Sequence, residues 1–301
     1  MKPQELRAKL PGVIGFPVTP FKPDLSLDLD GLRKNVRFMA KHPFAAIVAA
    51  GGTGELYSLS PEEQAQVVKA CVEESNGVPV IAGTGFGREL GVRLARQAEK
   101  AGAAGILVFP PYYPNADEEG LLEYCRAIGE ATPLGLFVYS RDSVNPSPAA
   151  VERMASRIPT LIAWKEGQGD LRRLEQIMAR VGDRLYWIGG VGEDLLPGYY
   201  ALGIRTYTSS VSNVCPKLAL RLHELAAAGD GASLGPLMKD YVLPLYELRG
   251  RRRGYEVTVM KDFMTLIGLS GGSVRPPLPP LRPEDRKDLE TLVSRWKPVL
   301  S

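Results

Sequence analysis

Short apolar runs and longer amphipathic stretches alternate through most of the chain, with glycine or proline at the joins. The runs read VIGFPVT from Val13, AAIVAAGG from Ala45, VPVIAGTG from Val78, GILVFPP from Gly105, LGLFVYS from Leu134, LIAWKEG from Leu161, LYWIGGV from Leu185 and TYTSSV from Thr206. They are continuously apolar instead of alternating, the pattern of parallel strands covered on both faces. Their starts fall 21 to 33 residues apart, room for one strand and one returning helix. Eight such units close an α/β fold of the (β/α)8 TIM-barrel type, which is the predicted architecture. A doubly wound sheet is the rival, but it needs a reversal of strand order of which the sequence gives no sign.

The intervening segments carry helix punctuation. In SPEEQAQVVKACVEE, Ser60 is placed to cap, Pro61 to open the first turn and Glu63 to complete a capping box. RELGVRLARQAEKAG stops at Gly102. After Ala228 the strand signals cease, and periodicity around LGPLMKDYVLPLYEL, YEVTVMKDFMTLIGL and PEDRKDLETLVSRW predicts two or three further helices. The expected organisation is therefore a catalytic barrel over 1–228 and a C-terminal helical domain over 229–301. GGSVRPPLPPLRP is too rich in proline for helix and is expected to run extended over the surface.

Composition narrows the classes. The chain has 301 residues with 45% hydrophobic and 24% charged, which suits a soluble globular protein and excludes disordered and fibrous ones. The 37 basic and 34 acidic residues leave a net charge of +3, too little to mark a nucleic-acid or membrane-surface protein. Small anionic metabolites remain, since they need only local positive charge. No apolar run approaches the ~18 residues of a membrane span, and MKPQELRAKLPGVIGF lacks the apolar stretch of a secretory signal. Cys71, Cys125 and Cys215 are odd in number and widely spaced, fitting neither a disulfide framework nor a metal cluster, so a reducing, cytoplasmic setting is expected. His42 and His223 are the only histidines and lack zinc-ligand spacing, so no metal is expected. Arg249-Gly250-Arg251-Arg252-Arg253 has no interleaved aromatics and reads as a solvated loop.

In a barrel of this kind chemistry sits at the C-terminal strand ends. Lys165 closes the sixth run directly after Trp164. Held there, an amine is either half of a structural ion pair or a desolvated nucleophile able to form a Schiff base with a carbonyl. Tyr139 ends the neighbouring run, close enough for a phenol to shuttle protons during imine formation, although a core tyrosine would read the same way. Gly51-Gly52-Thr53-Gly54-Glu55 follows the second run. It is either a plain tight turn or a set of backbone donors and one hydroxyl suited to a carboxylate or phosphate. Neither it nor GTGFG at Gly83 has Walker or dinucleotide spacing. Arg141 and Asp142 could add an anion contact with its orienting partner, or form a surface pair.

Taken together, Gly51 to Glu55 with Ser58-Leu59, Pro110-Pro111-Tyr112-Tyr113, Tyr139 and Lys165 resemble the Schiff-base-forming dihydrodipicolinate synthase and N-acetylneuraminate lyase superfamily. Within it, Tyr139 to Asp142, Trp164 to Asp170, Thr206 to Ser210 and Val274 to Leu278 most resemble the branch that dehydrates 5-dehydro-4-deoxyglucarate. The resemblance implies a barrel with a C-terminal helical domain, a homotetramer, and action on a 2-oxo sugar diacid with no cofactor. It gives Lys165 the Schiff base and Tyr139 the proton relay. Gly52 and Thr53 would hold the carboxylate beside the ketone, Tyr113 would reach a neighbouring subunit's relay, and Ser209 would meet the hydroxyl-bearing end of the substrate. Synthases of the superfamily carry a Thr-Thr pair where this chain has Gly52-Thr53, and an arginine where it has Val144, which argues against dihydrodipicolinate synthesis.

The expected reaction is dehydration and decarboxylation of 5-dehydro-4-deoxyglucarate to 2,5-dioxopentanoate, with Arg141 on the far end of the substrate. A pyruvate-dependent aldolase or synthase using the same Schiff base is the alternative, and a barrel that senses 2-oxo acids without turnover is a third.

Overall fold

The computed structural model describes residues 1–113 and 115–300; Pro114, within the expected barrel, and Ser301, at the end of the expected helical domain, lie outside them. The strands are β1 (Gly12–Gly15), β2 (Ala46–Ala49), β3 (Val80–Phe86), β4 (Gly105–Pro111), β5 (Gly135–Ser140), β6 (Leu161–Glu166), β7 (Tyr186–Gly189) and β8 (Thr206–Ser209). All are parallel, and they close in sequence order with β8 returning to β1. The predicted barrel is the observed one, with every strand but β4 shorter than its apolar run. Beyond Gly15 the first run leaves the sheet, and its backbone is satisfied by the Asn213 side chain, which accepts from the Val18 N–H at 3.0 Å and donates to the Phe16 carbonyl at 2.8 Å.

Ile14, Val48, Ile81, Leu107, Phe137 and Ile188 point inward and fill the barrel beneath the mouth. Each contributes about 1.5–3 kcal/mol by leaving water. At the bottom the short helix α1 (Pro3–Ala8), which no sequence pattern announced, is close to the strands: a Cβ at Gly105 would lie 2.7 Å from the Leu6 side chain. The outer helices follow the punctuation. In α3 (Pro61–Glu74) Ser60 and Glu63 form the reciprocal capping box. In α4 (Arg88–Lys100) the chain leaves through Gly102 at φ +89°.

The barrel repeat ends with α9 (Pro216–Ala228), after α2 (Leu29–Met39), α5 (Glu118–Gly129), α6 (Pro148–Arg157), α7 (Leu171–Val181) and α8 (Leu196–Ala201). Three helical rods follow. The first is α10 (Gly231–Leu237), a π turn at Met238–Val242 and α11 (Leu243–Gly250) in unbroken succession; α12 (Tyr255–Leu266) and α13 (Pro283–Leu300) complete the set. Trp296 is buried at its centre, edge-on to Phe263 at 5.1 Å and Tyr241 at 5.7 Å. The proline-rich segment is free of helix, as expected, but it turns at 276–278, where the Leu278 N–H donates to the Arg275 carbonyl at 3.1 Å, and it is firmly tied. Arg275 forks onto the Glu63 carboxylate at 2.6 Å and donates to the carbonyls of Ser58 and Leu25, both at 2.7 Å.

Candidate active site

The C-terminal ends of the strands surround a cavity of about 550 Å³. Gly52, Thr53, Tyr113, Tyr139, Arg141, Lys165 and Ser209 all line it, although their positions span the loops of five different strands.

Lys165 faces inward on β6 and is only 4% exposed. Its Nζ donates to the Gly190 carbonyl at 2.7 Å and lies 3.5 Å from the centroid of the Tyr139 ring. Burial is the main force on this amine, and the Arg141 charge adds to it; together they outweigh the attraction of Glu166 and hold the pKa well below the ordinary lysine value. Two glycines make room. A Cβ at Gly190 would come within 2.8 Å of Nζ, and one at Gly167 within 2.3 Å of the Tyr139 ring. Tyr139 stands beside Lys165 in the β5–β6 register and meets Phe109 edge-on at 5.4 Å. Burial pushes its phenol up to about 12, with Arg141 pulling the other way.

Glu166, next along β6, points outward and is spent on structure. It accepts from the Tyr199 hydroxyl at 2.5 Å and from the Gly169 N–H at 2.7 Å.

Across the mouth, the Gly52 and Thr53 N–H groups and the Thr53 hydroxyl have no acceptor among the described residues. The loop that carries them is bent by Ala50 at φ +49° and Glu55 at φ +53°. Among the described residues, five of the seven non-glycine residues with positive φ, namely Ala50, Glu55, Phe86, Tyr113 and Asp142, lie at or just past the ends of β2 to β5, so backbone strain gathers around the cavity. Glu55 is fully buried and anchored from behind by an ion pair to Lys261 of α12, while its other oxygen accepts from the Arg275 N–H at 3.1 Å.

Arg141 lies at the rim, with 46% of its side chain exposed; it donates to the Gly167 carbonyl at 2.7 Å and stands 3.6 Å from the Asp142 carboxylate. Tyr113 is 93% exposed. Ser209 is fully buried, and its hydroxyl is committed: it donates to Glu193 at 2.5 Å and accepts from the Ser212 N–H at 2.9 Å. Its neighbours Thr208 and Ser210 line the cavity beside it.

Sequence reasoning missed Glu193, Tyr246 and Arg249. Glu193 follows β7, fully buried, and takes hydrogen bonds from Ser209, the Val211 N–H at 3.0 Å and Tyr246 of α11. Arg249, expected in a solvated basic loop, instead ends α11 with 9% exposure and lines the cavity. The overlooked signal is its spacing from Val242 and Leu245, which puts Arg249 on the buried stripe of the helix.

Fold and mouth together define an eight-stranded β/α-barrel enzyme with a desolvated lysine where such barrels carry out their chemistry. The profile of the Dihydrodipicolinate synthetase family matches residues 9–296. A protein of Bradyrhizobium diazoefficiens named "Probable 5-dehydro-4-deoxyglucarate dehydratase" is 39% identical over 100% of this chain and 97% of its own length. One of the same name from Saccharopolyspora erythraea is 41% identical over 97% of this chain and 96% of its own. Among solved structures, the dihydrodipicolinate synthase of Oceanobacillus iheyensis superposes with a TM-score of 0.93 at 30% identity, covering 98% of this chain and 99% of that one. The chain belongs to the dihydrodipicolinate synthetase family.

Proposed function

We propose that the enzyme converts 5-dehydro-4-deoxy-D-glucarate to 2,5-dioxopentanoate, water and carbon dioxide through a Schiff base on Lys165. The observation that carries this reading is the buried Lys165 amine, its pKa held well below the ordinary lysine value, which favours the neutral nucleophile, and packed against Tyr139. The names of the full-length relatives supply the substrate.

In this reading Lys165 attacks the C5 ketone, and the carbinolamine loses water to give a protonated imine. Tyr139 relays the protons of that exchange. The imine withdraws electrons, so a C4 proton is lost and an enamine forms. The enamine expels the C3 hydroxyl, which leaves as water once protonated, and a conjugated iminium remains. When C1 departs as carbon dioxide, the electrons of its bond to C2 flow through C3 and C4 to the nitrogen. Protonation at C4, tautomerisation of the C2 enol and hydrolysis then free the product and Lys165.

The uncommitted donors of Gly52 and Thr53 suit the C6 carboxylate beside the ketone. Arg141, at the rim, meets a substrate anion as it enters, and its charge adds to the lowering of the Lys165 pKa that burial begins. Ser209, at the cavity wall with its hydroxyl tied to Glu193, borders the hydroxyl-bearing end of the substrate. We further propose a cytoplasmic homotetramer in which the exposed Tyr113 enters a neighbouring subunit's relay.

The test is incubation of the purified protein with 5-dehydro-4-deoxyglucarate, and separately with pyruvate, followed by borohydride and mass analysis. Carbon dioxide and 2,5-dioxopentanoate, with a substrate adduct on Lys165 that is missing in Lys165→Ala, are expected. A pyruvate adduct without turnover of the sugar diacid would move the function to an aldolase, and no adduct would end the Schiff-base reading.

A further inference from the structure

The buried Arg249 guanidinium has no role in the chemistry above, yet it lines the same cavity. Its Nη1 donates to Ser210 Oγ at 3.0 Å, its Cζ lies 4.4 Å from the Tyr246 ring centroid, and its buried Nε has no partner among the described residues. No carboxylate stands within ion-pair distance of it among those residues. Asp194 is near enough to feel its charge, yet burial and the neighbouring Glu193 still raise the Asp194 pKa. A buried cation without a counterion is costly unless an anion arrives to meet it.

The arginine is also held in place. Tyr246, three residues earlier on α11, donates to the Glu193 carboxylate and accepts from the Glu193 N–H at 2.9 Å. That approach is possible because Gly192 has no side chain: a Cβ there would fall 2.1 Å from the Tyr246 hydroxyl. The helical rod that carries Arg249 is thereby pinned to the loop after β7.

We infer that Arg249 binds the carboxylate at the far end of the substrate, C1 of the sugar diacid, and so selects diacids over monoacids. This rests on the Schiff-base reading of Lys165 and assigns a residue to the end of the substrate opposite Gly52 and Thr53. C1 lies four carbon–carbon bonds from the imine carbon, a reach of about 5 Å when extended. The bound carboxylate is lost when carbon dioxide departs, so its ion pair exists in the ground state and cannot lower the barrier of that step. Arg249 therefore acts through binding, and its loss raises KM more than it lowers kcat.

Two six-carbon 2-oxo acids that differ only at the far end test this. 2-Oxoadipate ends in a carboxylate and 2-oxohexanoate in a methyl group; both can be trapped on Lys165 with borohydride, and the concentration giving half-maximal adduct is measured by mass. The wild-type protein is expected to favour 2-oxoadipate by about tenfold or more, the size of a charge-assisted contact. In Arg249→Met the ratio falls towards one, in Arg249→Lys part of it survives, and in Arg141→Met it persists. An unchanged ratio in Arg249→Met, or its loss in Arg141→Met alone, overturns the assignment. So does a wild-type protein without preference, a result that needs no variant to fold. Trapping does not require turnover, so a protein that selects 2-oxoadipate through Arg249 but releases no carbon dioxide from 5-dehydro-4-deoxyglucarate loses the dehydratase reading and keeps this one.

Discussion

The amine of Lys165 lies over the face of the Tyr139 ring, 3.5 Å from its centroid, and donates its hydrogen bond to neither Tyr139 nor a carboxylate but to the Gly190 carbonyl at 2.7 Å. Parallel register explains this. The two residues are paired across β5 and β6, so their side chains leave the wall side by side. The ring face attracts the charged form of the amine, but burial and Arg141 outweigh it. The phenol hydroxyl has no hydrogen-bond partner among the described residues.

Replacing this amine separates function from stability. Lys165→Met abolishes adduct formation and turnover, yet it is expected to raise Tm near neutral pH, as a calorimetric comparison would show. The folded state holds the pKa of Lys165 below the ordinary 10.5, so the unfolded chain binds the extra proton between those values and wild-type stability rises with pH through that window. The advantage of the variant is therefore full at and below the lowered pKa and disappears above about 10.5. For the enzyme itself, kcat/KM falls as pH drops through the lowered pKa, because the nucleophile becomes protonated.

Tyr139→Phe keeps the ring beneath the amine and removes only the proton relay. A fall in kcat of about 10²-fold or more follows if the hydroxyl carries protons, with Tm unchanged. Single-turnover trapping should still yield a Lys165 adduct, only more slowly; trapping at the wild-type rate would remove Tyr139 from the imine step.

Gly190→Ala is a larger perturbation than its one methyl group suggests. The new Cβ would fall 2.1 Å from the Glu166 carbonyl and 2.8 Å from Lys165 Nζ. Either the strand shifts or the amine leaves its seat. Expected are at least a 10²-fold loss of kcat/KM and a lower Tm, both readable from one preparation.

Behind the Gly52–Thr53 loop, Lys261 is 1% exposed against the fully buried Glu55. Burial lowers its pKa to about 8, with Glu55 pulling it back up. Lys261→Met strands the carboxylate and should cost about 3–5 kcal/mol, seen as a lower denaturant midpoint and a raised KM for 2-oxo acids. Glu55→Gln combined with Lys261→Met removes both charges and should recover part of that loss; a double mutant as unstable as the sum of the single changes would show that the pair is not coupled.

The barrel was legible because each strand is short, continuously apolar and followed by its own helix signal, so period and spacing agree. Lys165 and Tyr139 were legible for a related reason: they interrupt apolar runs at the ends where barrels open. Ser209 shows the limit. Its position beside the mouth is readable, but which way its hydroxyl turns depends on strand alternation and on Glu193, sixteen residues earlier. Arg249 was hidden among basic neighbours. Of these, Arg251 pairs at the surface with Asp285 and Asp288, and only packing distinguishes it from the buried arginine two residues before.

Tyr113 makes the case for assembly. It is 93% exposed, its neighbour Tyr112 is 77% exposed, and Tyr113 adopts a left-handed backbone with φ +73° at the end of β4. A bulky residue in that conformation is strained, and a lone chain gains nothing in return, since the ring stays in water. A second copy of the chain covering the two rings would offset the strain by removing their apolar area from solvent. If the proposed homotetramer forms, light scattering gives about four times the mass of one chain for the wild type. Tyr113→Ala, which removes the ring that a second copy would cover, should shift the population to smaller species and lower kcat. Tyr113→Phe, which keeps the ring, should hold the assembly and lower kcat alone. A wild-type protein that remains a single chain at catalytic concentrations, with full activity in Tyr113→Ala, would leave Tyr113 outside the proton relay.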